Sequence, residues 1–196
     1  MSLAIIDSGG ANIASVKFAC QRLGADPVFS ADPEVIRRAE RVILPGVGAA
    51  AAAMAQLERT SLADCIRGLQ QPVLGICLGM QLLYASSAEG DTPCLGLIPG
   101  KLEKLEGDSA LRVPHMGWNE LDIQQKDPLL AGLASQPWFY FVHSYAAPLS
   151  EFTAAKSHHG KDFTAVVRRG NFCGVQFHPE RSADQGARLL RNFLAA

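Results

Sequence analysis

Through its first half the sequence alternates short, unbroken apolar runs with segments of helical periodicity, the pattern of strand-helix-strand units that build a parallel sheet. Leu3–Ile6 is the first such run. Ile13, Val16, Cys20 and Leu23 then recur at helical spacing, with Gly24 where a left-handed C-terminal cap is common. A short strand is expected around Val28 and a helix over residues 34–40. Residues 41–44 form the next apolar run, which stops at Pro45-Gly46-Val47-Gly48 before an Ala-rich helix that reaches Leu57. Residues 72–76 read as a buried strand and residues 78–84 as the helix behind it. After Ala88, Gly and Pro punctuate shorter segments rich in Val, Leu, Phe and Tyr, so antiparallel strands are expected to make the sheet mixed. Residues 139–142 and 173–177 are late strands, and His158-His159-Gly160 marks a hairpin. The closing helix carries Leu189, Leu190, Phe193 and Leu194, with Ser182 and Gln185 in capping-box spacing at its start.

Composition narrows the partners. At 196 residues, 48% hydrophobic and 19% charged, the chain is expected to fold as one domain, residues 1–196, with a sizeable core. Eighteen basic against 19 acidic residues give a net charge of -1, a balance that favours neither nucleic acid nor an anionic membrane. The longest apolar stretch, residues 73–85, contains Gln81 and falls short of the ~20 residues of a bilayer span. The N-terminus lacks a basic leader and reads as a first strand, not a signal peptide. Five cysteines, an odd number without a C-x-x-C pair, fit neither a disulfide framework nor a metal cluster, and point to the reducing cytoplasm. No metal and no cofactor are expected. His158 and His159 are expected at the surface, and Arg37-Arg38 and Arg168-Arg169 on solvated faces.

Chemistry concentrates in Gly75-Ile76-Cys77-Leu78-Gly79, between a buried strand and a helix. A nucleophile elbow belongs there, because the sharp turn exposes its central side chain and leaves no room for side chains two residues either way. A cysteine with glycine at both second neighbours is expected about 0.04 times in a shuffled chain of this composition, which is suggestive on its own and stronger in this context. The other four cysteines read as buried packing residues. Phe177-His178-Pro179-Glu180 ends the last strand, and Pro179 holds His178 extended. His178 can then face Cys77 while Glu180 orients the imidazole, the logic of a catalytic triad. The oxyanion of an attacked carbonyl would find one donor in the Leu78 N–H and another in the Val47-Gly48 loop. His115 and His143 stay undecided.

These residues resemble the class I (triad) glutamine amidotransferases, whose elbow and terminal His-Pro-Glu match Cys77, His178 and Glu180, and the resemblance spans essentially the whole chain. Residues 44–48, 75–83, 114–119, 140–145 and 175–180 are similar to the branch that supplies ammonia within imidazole glycerol phosphate synthase. The resemblance implies a three-layer, flavodoxin-like α/β fold with a mixed, mainly parallel central sheet. It also implies that Cys77 attacks the glutamine side-chain amide to form a γ-glutamyl thioester, with Gln81, Ser144 and Tyr145 holding glutamine and Val47, Gly48 and Leu78 forming the oxyanion hole. The ammonia would pass to a cyclase subunit, a (β/α)₈ barrel, in a heterodimer, with Asn12, Trp118, Asn119, Tyr140 and Arg181 at or near the interface. Arg181 stands where Lys is frequent, Ser144 where Thr is common, and Ser8-Gly9-Gly10-Ala11 where Tyr-Gly-x-Gly is frequent. A glutaminase serving a different synthase and a cysteine hydrolase without a partner stay open as alternatives at this point.

Overall fold

The computed structural model describes residues 2–8, 13–109 and 111–195. The first half forms β1 (Leu3–Ile6), α1 (Ile13–Arg22), β2 (Pro27–Ser30), α2 (Pro33–Arg38), β3 (Arg41–Gly46), α3 (Ala50–Arg59), α4 (Leu62–Arg67), β4 (Val73–Cys77) and α5 (Leu78–Leu82). The second half forms β5 (Tyr84–Ser87), β6 (Thr92–Pro93), β7 (Ile98–Lys104), β8 (His115–Glu120), β9 (Asp122–Ile123), β10 (Trp138–His143), β11 (Tyr145–Ala146), β12 (Thr153–His159), β13 (Lys161–Arg169), β14 (Phe172–Val175) and α6 (Ala183–Ala195).

The main sheet runs β2-β1-β3-β4-β14-β13-β12-β9. Its pairings are parallel from β2 through β14 and antiparallel from β14 onward. The mixed, mainly parallel α/β sheet expected from the sequence is therefore present. Alternation along buried strands splits the core in two, because successive side chains leave opposite faces. Ala4, Ile6, Val42, Leu44 and Val73 pack with α2, α3, α4 and α5 on one face. Leu3, Ile5, Ile43, Leu74 and Ile76 pack with α1, α6 and the Phe139 and Phe141 rings of β10 on the other. Helices thus cover both faces, giving three layers. β11-β7-β5-β6 and β10-β8 form two smaller sheets beside the main one. Among the described residues no helix is long and apolar enough to cross a membrane.

Several expectations need correction. The helix expected over residues 78–84 ends at Leu82, because the next carbonyls are taken by a passing segment: Leu95 N donates to Leu82 O, Ile98 N to Leu83 O and Gly96 N to Tyr84 O, at 2.9, 2.8 and 2.9 Å. Tyr84 consequently opens a strand. The six-residue α4 has no counterpart in the sequence reading, being too short to show a period. Arg168 does not lie on a solvated face, since Nη2 binds Oδ1 of the nearly buried Asp127 at 2.8 Å and Nε binds Oδ2. Arg169 is exposed as expected, with its guanidinium over the Phe152 ring and donating to Leu97 O.

Candidate active site

Cys77 closes β4 with φ 52° and ψ −112°, a strained conformation for a residue with a side chain, and α5 starts at the next position. The neighbouring glycines make the elbow possible by close approach. A Cβ on Gly79 would lie 1.8 Å from the Leu44 carbonyl oxygen, and one on Gly75 would lie 2.7 Å from Met80 Cα. With both absent, β3, β4 and α5 converge and Cys77 stands at the C-terminal edge of the parallel strands, where ligands of such sheets bind.

His178 follows β14 in an extended conformation, φ −104° and ψ 94°, as the proline after it requires. Its backbone N donates to Tyr140 O at 2.9 Å. Ser182 braces the same turn: its hydroxyl donates to His178 O at 2.6 Å and accepts from Tyr140 N at 3.0 Å. The expected capping box is therefore not formed, and Gln185 Oε1 instead accepts from Ala134 N at 3.1 Å. Ser182 is drawn away to hold the His178 turn against β10, and Gln185 to the loop that precedes β10.

His178 Nδ1 lies 2.8 Å from Glu180 Oε1, and both side chains are almost fully buried. The carboxylate accepts that proton and leaves Nε2 as the working nitrogen. Nε2 is buried without a hydrogen bond of ordinary geometry, so the sulfur acts on the ring as a close neighbour and not as a formed acceptor. Burial, the largest single influence, pulls the ring toward neutrality; Cys77 and Glu180 together outweigh it and push its pKa up to about 10. An imidazolium beside the sulfur is the favoured state at neutral pH. Cys77 Sγ also lies 3.8 Å from Val142 O and accepts from Gln176 Nε2 at 3.8 Å. Burial pushes the Cys20 and Cys94 thiols up to about 11 and that of Cys173 to about 12, and raises that of Cys65, consistent with packing roles.

One pocket of about 450 Å³ gathers most residues singled out from the sequence. Cys77, Leu78 and His178 line it together with Val47 and Gly48 from the loop after β3. Gln81, Ser144, Tyr145 and Arg181 complete the expected set, whereas Glu180 stands behind the ring. Both amide hydrogens of Gln81 go to protein acceptors, Tyr145 O and Gln176 Oε1 at 3.0 Å each, which leaves Oε1 for a ligand. The Arg181 guanidinium sits 4.7 Å from the Tyr140 ring centroid, and Trp118 meets Tyr140 edge-on at 6.2 Å. This stack leads from the pocket to the exposed face of β8 and β10. Asn119 lies beside it on β8, and Asn12 lies outside the described residues.

Sequence reasoning missed Glu89, which lines the same pocket while its Oε2 accepts from Ala50 N at 2.8 Å. No motif surrounds it; only the fold brings it there. Gln176, wholly buried beside the sulfur, was visible only as part of a motif. His158 is exposed and paired with Asp162 at 2.7 Å, but His159 is only half-exposed because its ring stacks on His115 with centroids 4.2 Å apart. Among the described residues no group of three or more His, Cys, Asp or Glu is placed to hold a metal ion.

A family model described as glutamine amidotransferase class-I matches residues 4–196. The imidazole glycerol phosphate synthase subunit HisH of Xanthomonas euvesicatoria pv. vesicatoria (strain 85-10) is 54% identical over 192 residues, covering 98% of this chain and 96% of its own length. The protein of the same name from Xylella fastidiosa strain Temecula1 gives the same identity and coverage, 54%, 98% and 96%. Among solved structures, one described as a glutamine amidotransferase superposes with a TM-score of 0.75 at 21% identity, covering 98% of this chain and 97% of that one. The structure of PurLQS from Thermotoga maritima superposes with a TM-score of 0.73 at 19% identity, covering 99% and 97%. At these identities the structural likenesses concern the fold alone.

Proposed function

The chain belongs to the class-I glutamine amidotransferases, and from that premise we propose that it is the glutaminase subunit of imidazole glycerol phosphate synthase. It acts as a single cytoplasmic domain, residues 1–196, that hydrolyses glutamine and hands ammonia to a cyclase subunit. The observation that carries the reading is the buried His178–Glu180 pair at 2.8 Å, opening with a strained Cys77 into one glutamine-sized pocket.

The Cys77 thiolate attacks the side-chain carbonyl carbon of glutamine, and the developing oxyanion is met by the Leu78 N–H and the Val47-Gly48 loop. As the C–N bond breaks, His178 Nε2 protonates the departing nitrogen and ammonia leaves a γ-glutamyl thioester. The neutral ring then takes a proton from water as it attacks the thioester; the C–S bond breaks, glutamate departs and the thiolate–imidazolium pair is restored. Glu180 holds the Nδ1–H tautomer and favours the cation throughout. Ser144, Tyr145 and the Gln81 carbonyl oxygen bind the amino-acid portion of glutamine, and the Glu89 carboxylate suits its ammonium group.

Ammonia released here is proposed to pass to a second protein, as the name of the similar synthase subunit suggests. The exposed Met116, Trp118 and Trp138 make an apolar face on β8 and β10 that meets the pocket through Tyr140 and Arg181. Aromatic and Arg side chains in that setting suit the core of a heterodimer interface. Asn12, Trp118, Asn119, Tyr140 and Arg181 are proposed to meet the cyclase. Glutamate release should be slow for the chain alone and rise when the cyclase subunit and its nucleotide ligand are added. Full turnover without the partner would favour an independent hydrolase and contradict this reading.

A further inference from the structure

His115 and His143 are both buried, and neither takes part in the chemistry above. They are joined at 3.0 Å, His115 Nδ1 to His143 Nε2, and extended at each end: Asn119 Nδ2 lies 3.2 Å from His115 Nε2, and His143 Nδ1 lies 2.9 Å from Tyr145 O. The direction of every bond can be deduced. Asn119 is oriented independently, because its Oδ1 accepts from Glu120 N at 2.9 Å and its Nδ2 donates to His158 O at 2.9 Å. Nδ2 can only donate, so His115 Nε2 accepts and the ring carries its hydrogen on Nδ1. That hydrogen is donated to His143 Nε2, which leaves His143 its hydrogen on Nδ1, aimed at a carbonyl that can only accept. A proton added to either ring would set two donors face to face. Aromatic walls reinforce the neutral state: Phe141 stacks on His115 at 4.9 Å, and Phe163 lies 5.0 Å from His143. Burial, the main cause, pushes the two rings down to about 4 and about 3.

The Tyr145 carbonyl that receives this line is also held by Gln81 Nε2, which reaches Gln176 Oε1, and Gln176 Nε2 donates to Cys77 Sγ. We propose that His143 is a positioning residue: neutral and protonated on Nδ1 by the constraint that Asn119 passes through His115, it fixes the Tyr145 carbonyl and so the Gln81 and Gln176 amides that shape the pocket beside Cys77. The role in turnover rests on the glutaminase reading; the protonation pattern does not.

Two measurements test it. Long-range ¹H–¹⁵N correlation spectra of the full chain labelled in histidine, assigned with single variants, should show His115 and His143 as neutral Nδ1–H tautomers at neutral pH, the minority form of free histidine. An Nε2–H tautomer or a doubly protonated ring at either position overturns the proposal. In the complex with the cyclase subunit and its nucleotide ligand, His143→Gln can still accept from His115 but cannot donate to Tyr145 O, whereas His143→Asn keeps that donor. His143→Gln should raise the KM for glutamine about tenfold with kcat within about twofold, and His143→Asn should keep KM within about threefold of wild type. An unchanged KM in His143→Gln, or equal effects of the two variants, overturns it. Absence of glutamate release by the wild-type complex would defeat the functional reading, and the tautomers would still decide the line.

Discussion

Cys77→Ala is expected to lower glutamate release and glutamine-dependent synthesis by the complex on the order of 10⁴-fold or more, while synthesis supplied with ammonium salt stays within about twofold of wild type. The size follows from the absence of a substitute. A 10⁴-fold loss is about 5.5 kcal/mol of transition-state stabilisation, more than an oxyanion hole can restore without a covalent partner. The other four cysteines are buried and their thiols held above the ordinary range. Co-elution of the variant with the cyclase subunit separates chemistry from assembly, since a variant that failed to fold or to bind would be missing from the complex. Retention of glutamine-dependent activity would remove Cys77 from the mechanism.

Glu180→Gln has the second largest expected effect, a drop on the order of 10²-fold in kcat/KM at neutral pH together with a narrower pH profile. The amide can still accept from Nδ1 and keep the tautomer, so the loss reports charge. In the wild type the imidazolium persists until pH rises through about 10, which places the alkaline limb of the activity there. Glu180 is one of the groups that raise this pKa, by hydrogen bond and by charge. Removing its charge lowers the folded-state value, so the imidazolium is lost at lower pH and the limb moves toward neutrality. A pH–rate profile of the variant in the complex checks the shift; an unmoved alkaline limb would show that the carboxylate does not support the cation.

The triad was legible because its constraints are local. Gly75 and Gly79 are demanded by atoms that would occupy their Cβ positions, and Pro179 holds the backbone of His178, so both signals survive in the linear sequence. The parallel half of the sheet was legible for a similar reason: runs such as Leu3–Ile6 are buried on both sides and read as unbroken apolar segments. What escaped depends on distant partners. Helix α5 ends where it does because the segment around Leu95–Ile98 captures its carbonyls, and Ser182 abandons a capping role to brace the His178 turn. Arg168 looked like surface charge until the fold placed Asp127 against it across 41 residues. Glu89 enters the pocket from a short turn with no motif, and the order of donors through Asn119, His115 and His143 exists only after β8 and β10 pair.

The mechanism assigns the reaction to one sulfur, activated by the imidazole–carboxylate pair. It is tested most directly by reacting the complex with a glutamine analogue that bears an electrophilic ketone in place of the carboxamide, then mapping the modified residue by peptide mass spectrometry. A single label on Cys77 is expected, suppressed by glutamine and rising in step with loss of glutaminase activity. A label on Cys20, Cys65, Cys94 or Cys173, or glutaminase activity that survives full modification of Cys77, would contradict it.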